Sequence, residues 1–204
     1  MRFLDFLFPP RSDELALREV SDDEFIAKAS PRLVPETRPG TVSLLSFDDA
    51  PVRSAIHEAK YHGSERAFRL LGSVLADYLR DADDVGRLTS NTFLVPIPLG
   101  KERMNERGFN QVEEVARRAV RELGIKIETG LLVRTRETVS QISLAREKRE
   151  ENMHGAFKTA RRADPAHTYI LLDDVITTGA TLQSAIDALK DAGAEHIIPL
   201  ALAH

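Results

Sequence analysis

The sequence predicts an α/β domain, a twisted and mainly parallel sheet flanked by helices, and three observations carry that expectation. Tyr169-Ile170-Leu171-Leu172 and Ile197–Leu202 are continuous apolar runs, the pattern of strands covered on both faces. Between them Leu182, Ile186 and Leu189 recur at helical spacing until Gly193 stops the helix. Strand, helix and strand in that order form a βαβ unit, whose strands should run parallel. Upstream, Phe93-Leu94-Val95-Pro96-Ile97 reads as a further buried strand ending in a proline-rich turn.

The remaining elements follow along the chain. Residues 1–10 read as a short amphipathic turn closed by Pro9-Pro10. From Arg11 to about Gly40 the text is polar and broken by Pro31, Pro35, Pro39 and Gly40, which predicts a loose linker. Ser64 is placed to cap a helix running to about Ala82, with Ala67, Leu70, Leu71, Val74, Leu75 and Tyr78 on one face. Asn110 with Glu113 makes a capping pair for a helix that Gly124 ends. Leu131-Leu132-Val133 is a short strand, followed to about Arg162 by a polar, arginine-rich stretch without apolar periodicity.

Composition narrows the function classes. The chain has 204 residues, 42% apolar and 29% charged, which suits one folded domain, with net charge −4 and hence no global basic field for nucleic acid or membrane. Charge is uneven locally: Arg134–Arg162 holds eight Lys/Arg against four acids, whereas Arg11–Glu24 holds six acids against two arginines. The absence of cysteine excludes disulfides and cysteine-ligated zinc, and the six histidines show no HExxH spacing. The apolar start is too short to span a bilayer and lacks the basic flank of a signal peptide, so a cytoplasmic location is expected.

The chemistry lies in Asp173-Asp174-Val175-Ile176-Thr177-Thr178-Gly179-Ala180-Thr181. Two acids close a buried strand, at the sheet edge where open α/β folds bind ligands. Small residues then open a helix, whose first N–H groups and dipole favour an anion. Thr177, Thr178 and Thr181 add hydroxyls, and Gly179 permits close backbone approach. Donors for a phosphate beside carboxylates for sugar hydroxyls fit a ribose 5-phosphate. The plainer alternative is a strand end, an N-cap and an ordinary turn. The string is neither a Walker A loop nor GxGxxG.

This string resembles the signature by which type I phosphoribosyltransferases bind 5-phosphoribosyl-1-pyrophosphate (PRPP). Further strings resemble the ComF/GntX family within that fold: Val95-Pro96-Ile97-Pro98-Leu99, Arg103 and Arg107-Gly108-Phe109-Asn110-Gln111, and downstream Arg134-Thr135-Arg136, Gln141, Leu144, Arg149, Asn152 and Gly155-Ala156-Phe157. Phe6–Pro9 and Lys60-Tyr61-His62-Gly63 match two more family strings, so the likeness covers residues 3–9 and about 45–204. It implies residues 1–44 as an N-terminal segment and 45–204 as the phosphoribosyltransferase domain, with a small hood formed from the N-terminal part and the 134–157 loop. Family members usually carry a four-cysteine zinc module after the first string; here that region has no cysteine, so no zinc is expected.

The resemblance also implies roles. Asp173 and Asp174 hold the ribose hydroxyls, directly or around Mg²⁺, and Val175, Thr177, Thr178, Gly179, Ala180 and Thr181 wrap the 5-phosphate. Arg103, Arg107 and Lys60 belong to the pyrophosphate side, Arg107 with the two acids forming the catalytic set. For Arg103 and Lys60 a solvated helix end is the alternative, and Asn110 and Gln111 also read as helix-start residues. Arg134, Arg136, Gln141, Arg149 and Asn152 belong to a hood loop that closes over PRPP. The implied partners are PRPP, an unidentified acceptor, single-stranded DNA or competence proteins, and a second copy in a homodimer. Three functions follow: phosphoribosyl transfer to a nitrogen acceptor, assistance to incoming single-stranded DNA, or PRPP sensing. With no tryptophan and three tyrosines, the sequence offers little sign of a stacking platform for single strands.

Overall fold

The computed structural model describes residues 12–84, 88–136 and 155–204. The main sheet has strands β1 (Arg32–Val34), β2 (Thr41–Leu45), β3 (Thr92–Pro96), β4 (Lys126–Ile127), β7 (Thr168–Val175) and β8 (His196–Ala203), in the order β1-β2-β8-β7-β3-β4. All neighbours are parallel except the edge pair β1–β2. Two further strands, β5 (Leu132–Arg134) and β6 (Phe157–Thr159), pair antiparallel as a separate small sheet. Helices are α1 (Ser12–Glu19), α2 (Asp22–Ile26), α3 (Ala50–His62), α4 (Glu65–Asp84), α5 (Lys101–Arg107), α6 (Gln111–Ala119) and α7 (Ala180–Asp191). The predicted α/β class and parallel βαβ unit are therefore observed, with β7 and β8 paired from Thr168↔His196 to Val175↔Ala203.

The central strands divide two cores by the alternation of side chains across a pleat. Ile170, Leu172, Leu200 and Leu202 face the core made with α3, α4 and α6. Tyr169, Leu171, Ile197 and Ala201 face the core made with α7 and the β5–β6 pair. The apolar face of α4 buries Ala67, Leu70, Leu71, Val74 and Leu75 as its spacing predicts. Ser64 Oγ accepts from the Ala67 N–H at 3.4 Å at the start of that helix.

Expectations for two segments are corrected, residues 12–40 and the start of α6. Residues 12–40 are not a linker: Ser21 and Glu24 form a reciprocal capping box on α2, Phe25 is fully buried, and β1 extends the sheet. Arg66 donates to the Val20 carbonyl and, with Arg69, to Asp22, so polar text encodes docking onto α4. Strand β2 runs through residues 44 and 45, and β1 joins the same sheet beside it. Asn110 caps α6 by accepting from the Val112 N–H, but Glu113 pairs with Arg117 one turn on instead of completing a box. That helix ends at Ala119 in a 3₁₀ turn (Val120–Glu122) before Gly124 turns the chain at φ +67°. Residues 1–10 lie outside the described residues. Among the described residues no helix is long and apolar enough to cross a membrane.

Candidate functional site

Parallel pairing brings the carboxyl ends of β2, β3 and β7 to one edge, and each runs directly into a loop and a helix there. A cleft of about 400 Å³ opens at that edge. Asp173, Asp174, Val175, Thr177 and Thr181 line it from β7 and α7, Arg103, Arg107 and Gln111 from α5 and α6, Lys60 from α3, and Arg134 from β5. Among the predicted residues, Thr178, Gly179 and Ala180 instead join Asp173, Val175, Thr177 and Thr181 around an adjoining niche of about 20 Å³. That volume takes one oxygen-sized group.

The niche is the mouth of α7, where Thr178 Oγ1 accepts from the Ala180 N–H at 3.4 Å. Gly179 is the N-cap of α7 at φ 73°, and no side chain caps the helix from that position. A Cβ there would stand 2.6 Å from the Glu36 carbonyl oxygen, so glycine is required both by backbone conformation and by contact with the β1–β2 turn. The same turn is tied to α7 by the Arg38 N–H donating to Gln183 Oε1 at 2.7 Å and by Lys190 Nζ donating to the Arg38 carbonyl. The N-terminal segment thus buttresses the anion loop.

The two acids are neighbours in sequence but differ in surroundings. Asp174 is buried, its Oδ2 accepting from Gln111 Nε2 at 2.8 Å with Lys60 Nζ at 3.7 Å, and its Oδ1 accepting from the Val175 N–H. Burial pushes its carboxyl up, but Lys60, the Gln111 and Val175 donors and Arg107 together outweigh that and hold it below the usual range. Burial first, then the charge of Asp174, push Asp173 up to about 7. Its Oδ1 accepts from the Asp174 N–H, and that bond and the Lys60 charge pull its carboxyl down by less. One acid is fixed as a carboxylate within a hydrogen-bonded frame, and the other, where burial and the Asp174 charge outweigh Lys60, favours a cation beside it.

Gln111 is the residue that sequence reasoning underestimates. It donates to Asp174 and accepts from Arg107 Nη1 at 3.0 Å, so one amide holds the acid and the guanidinium in register across the cleft. Its place is set by Phe109, which meets Phe68 edge-to-face at 5.7 Å, and by Asn110, whose Nδ2 donates to the Ile97 carbonyl. Arg107 ends α5 and Gln111 opens α6 across the Gly108 turn, so their place in one string, not a helix face, was the available signal. Arg103 and Arg107 lie in helix α5, and both line the cleft. Arg136 is exposed and does not line the cleft, while Gln141, Arg149 and Asn152 lie outside the described residues. His57 and Tyr61, which sequence reasoning gave no role, are part of the wall.

Comparison with known proteins agrees with the strings. The phosphoribosyl transferase domain family matches residues 108–204. The chain is 30% identical over 149 residues to competence protein F of Haemophilus influenzae, covering 72% of this chain and 65% of that protein. It is 30% identical over 145 residues to the DNA utilization protein YhgH of Escherichia coli, covering 71% and 63%. Competence protein ComFC of Bacillus subtilis is 35% identical over 102 residues, covering 49% and 39%. The chain therefore spans slightly under two thirds of the first two relatives. Adenine phosphoribosyltransferase of Leishmania tarentolae is similar at 15% identity over 90% of this chain and 89% of that one, with a TM-score of 0.39, too loose a superposition to bear on the site. With the strand order and the paired acids, these matches support a ComF-family protein with the phosphoribosyltransferase fold.

Proposed function

We propose that the chain binds PRPP in the cleft and transfers its phosphoribosyl group to a nitrogen acceptor with release of pyrophosphate. One observation supports this most: two carboxylates share a cleft with the cations Lys60, Arg103 and Arg107, and the mouth of α7 opens on a niche beside it. PRPP carries a monophosphate, vicinal hydroxyls and a diphosphate in that order. The α7 mouth receives the monophosphate, the acids receive the hydroxyls, and the guanidinium forks suit the diphosphate.

In the reaction the bond from the ribose anomeric carbon to the diphosphate oxygen breaks, its electron pair leaving with pyrophosphate. The acceptor nitrogen's lone pair forms the new bond. The chain's share is to orient the ring and to neutralise the departing charge, with no side chain as covalent nucleophile. The donor set at Asp173 and Asp174 is oxygen-only and fits Mg²⁺, which supplies charge neutralisation for the diphosphate when bound. The relatives' names, competence protein F and DNA utilization protein, favour a second reading in which the fold serves DNA handling.

Isothermal titration with PRPP and Mg²⁺ tests the first reading. Wild-type protein should bind, and Asp173→Asn with Asp174→Asn should weaken binding about 100-fold or more, as expected when two charged hydrogen-bonding groups are lost. Equal affinity in the double variant would refute the site. Release of pyrophosphate against a panel of nitrogenous bases then separates transfer from simple binding.

A further inference from the structure

Helix α3 carries two faces. Val52, Ala55, Ile56 and Ala59 fill the core, as an amphipathic helix requires. Arg53, His57 and Tyr61, spaced four apart, form a second stripe, and all three line the cleft. Arg53 Nη1 donates to the carbonyls of Phe47 and Asp48, which fixes the loop that brings Phe47 onto the same wall. The His57 and Tyr61 rings lie 4.7 Å apart between centroids. Tyr61 stays 48% exposed although it sits beside the acids' cleft, with Arg107 5.2 Å and Lys60 5.8 Å from its ring centre.

An exposed ring on an outer surface needs no explanation. This one is different, because it is flanked by cations at the cleft, tilted 48° against the His57 ring, and shares the cleft lining with Phe47. We infer that the Phe47–His57–Tyr61 wall is a stacking subsite for a nucleobase ring, with Tyr61 as its principal platform. The inference rests on the transferase reading for its biological sense, since a nitrogenous base is a fitting acceptor, but its geometry stands apart from PRPP. Aromatic stacking tolerates any base, because each presents a π-face, and the neighbouring cations suit a phosphate-bearing strand as well as a free ring. The shared chemistry is the base; its source is either a free nucleobase or a base within a single strand.

The test is titration of the full chain by calorimetry with free adenine, guanine, cytosine and uracil, and separately with a short oligodeoxythymidylate, each with and without PRPP and Mg²⁺. Wild type should bind in at least one arm, and which arm responds identifies the source. Tyr61→Ala should weaken that binding about tenfold or more, the range of a lost base–aromatic stack, while Tyr61→Phe retains it. Because the chain has no tryptophan, quenching of tyrosine emission offers a second readout, lost in Tyr61→Phe even though binding persists. Failure of wild type to bind either base source overturns the subsite, as does Tyr61→Ala binding like wild type or Tyr61→Phe failing like Tyr61→Ala. A ring-dependent base affinity without PRPP binding sustains the subsite and sinks the transferase reading; PRPP binding without base affinity does the reverse.

Discussion

The C-terminal unit, residues 168–203, and the N-terminal segment, residues 12–40, meet at Gly179, yet they are encoded in opposite ways. The first is written locally. Its strands are apolar runs covered on both faces, its helix has a regular inner face, and its ligand loop is contiguous. The second is written through partners elsewhere in the chain. Phe25 and Leu17 enter a core built by α3 and α4, Arg66 and Arg69 reach back to the segment, and the Glu36 carbonyl rests against the loop that the first unit supplies. Contiguous chemistry is legible; chemistry completed by a distant surface is not.

The largest expected effect breaks the comparison at the less legible end. Phe25→Ala removes a fully buried ring from the principal core, and should cost about 3–5 kcal/mol of folding stability. Urea unfolding followed by circular dichroism measures it. A linker residue would change stability by less than about 0.5 kcal/mol, so a shift of that size would return the segment to its sequence-based reading.

Gly179→Ala tests the contact between the two regions. The left-handed backbone alone costs about 1–2 kcal/mol for a residue with a Cβ, and the Glu36 carbonyl 2.6 Å away adds to it. The expected loss is about 2 kcal/mol or more by the same unfolding measurement, accompanied by weaker PRPP binding because the loop must shift. Gly108→Ala is the control: its φ is 76° but nothing lies within 4 Å of a Cβ there, so it should cost only the backbone term. Equal losses at both positions would mean that the two regions do not brace one another.

These positions also explain what could be read in advance. The fold class, β3, α4, β7, α7 and β8 were legible because each has enough apolar residues to set a period. Helix α2 has five residues and β1 three, too few for any period, and their signals were the Ser21–Glu24 box and an isolated Phe25. Within the site, Asp173–Thr181 was legible as one string. The bonds that join Lys60, Asp174, Gln111 and Arg107 were not, although the strings named these residues, since they come from α3, β7, α6 and α5 and meet only when the helices dock on the sheet. Alternation along β7 accounts for the unlike acids: Asp174 continues the face of Ile170 and Leu172 toward α3 and α6, and Asp173 continues the opposite face.

A smaller effect comes from that difference, inside the more legible unit. Asp173 is raised from about 3.9 in the unfolded chain to about 7 in the folded protein, so between those values the folded state binds more protons. Stability from this group is complete below about pH 4 and is lost as pH rises through about 7. Asp174, held low, has the opposite sign: it contributes above the unfolded value, and that contribution is lost as pH falls. In Mg²⁺-free buffer at pH 8, Asp173→Asn should therefore raise the melting temperature by about 2–4 °C, the shift for roughly 1 kcal/mol in a chain of this length. At pH 4 the variant and wild type should melt together. A variant less stable than wild type at pH 8 would show that the Asp173 carboxylate contributes favourably to the fold without ligand.

The smallest expected effect is none at all, and it sharpens the contrast from the side of the N-terminal segment. Residues 11–38 stand where relatives' resemblance implies a zinc module, but they contain neither cysteine nor histidine. Structural zinc supplies folding energy to small modules, so a segment without it needs other anchors. They are present: the buried Phe25 and Val34, the capping box on α2, the Arg66 and Arg69 bonds to Asp22, the 2.8 Å Lys28–Asp49 pair, and the β1–β2 ladder. Chelator should accordingly leave the melting temperature unchanged within about 1 °C, and elemental analysis should find no stoichiometric zinc. The measurement has a definite rival among the described residues. His57, Glu58 and His62 of α3 bring their donor atoms within 4.8 Å of one another, a spacing from which a metal could draw them together. If zinc copurifies and its removal lowers stability, His62→Ala decides where it sits. Zinc lost in that variant assigns it to α3 and leaves the segment metal-free, whereas zinc retained in it but lost with Asp22→Asn and Asp23→Asn places a ligand set in the N-terminal region and overturns its anchoring by packing and hydrogen bonds alone.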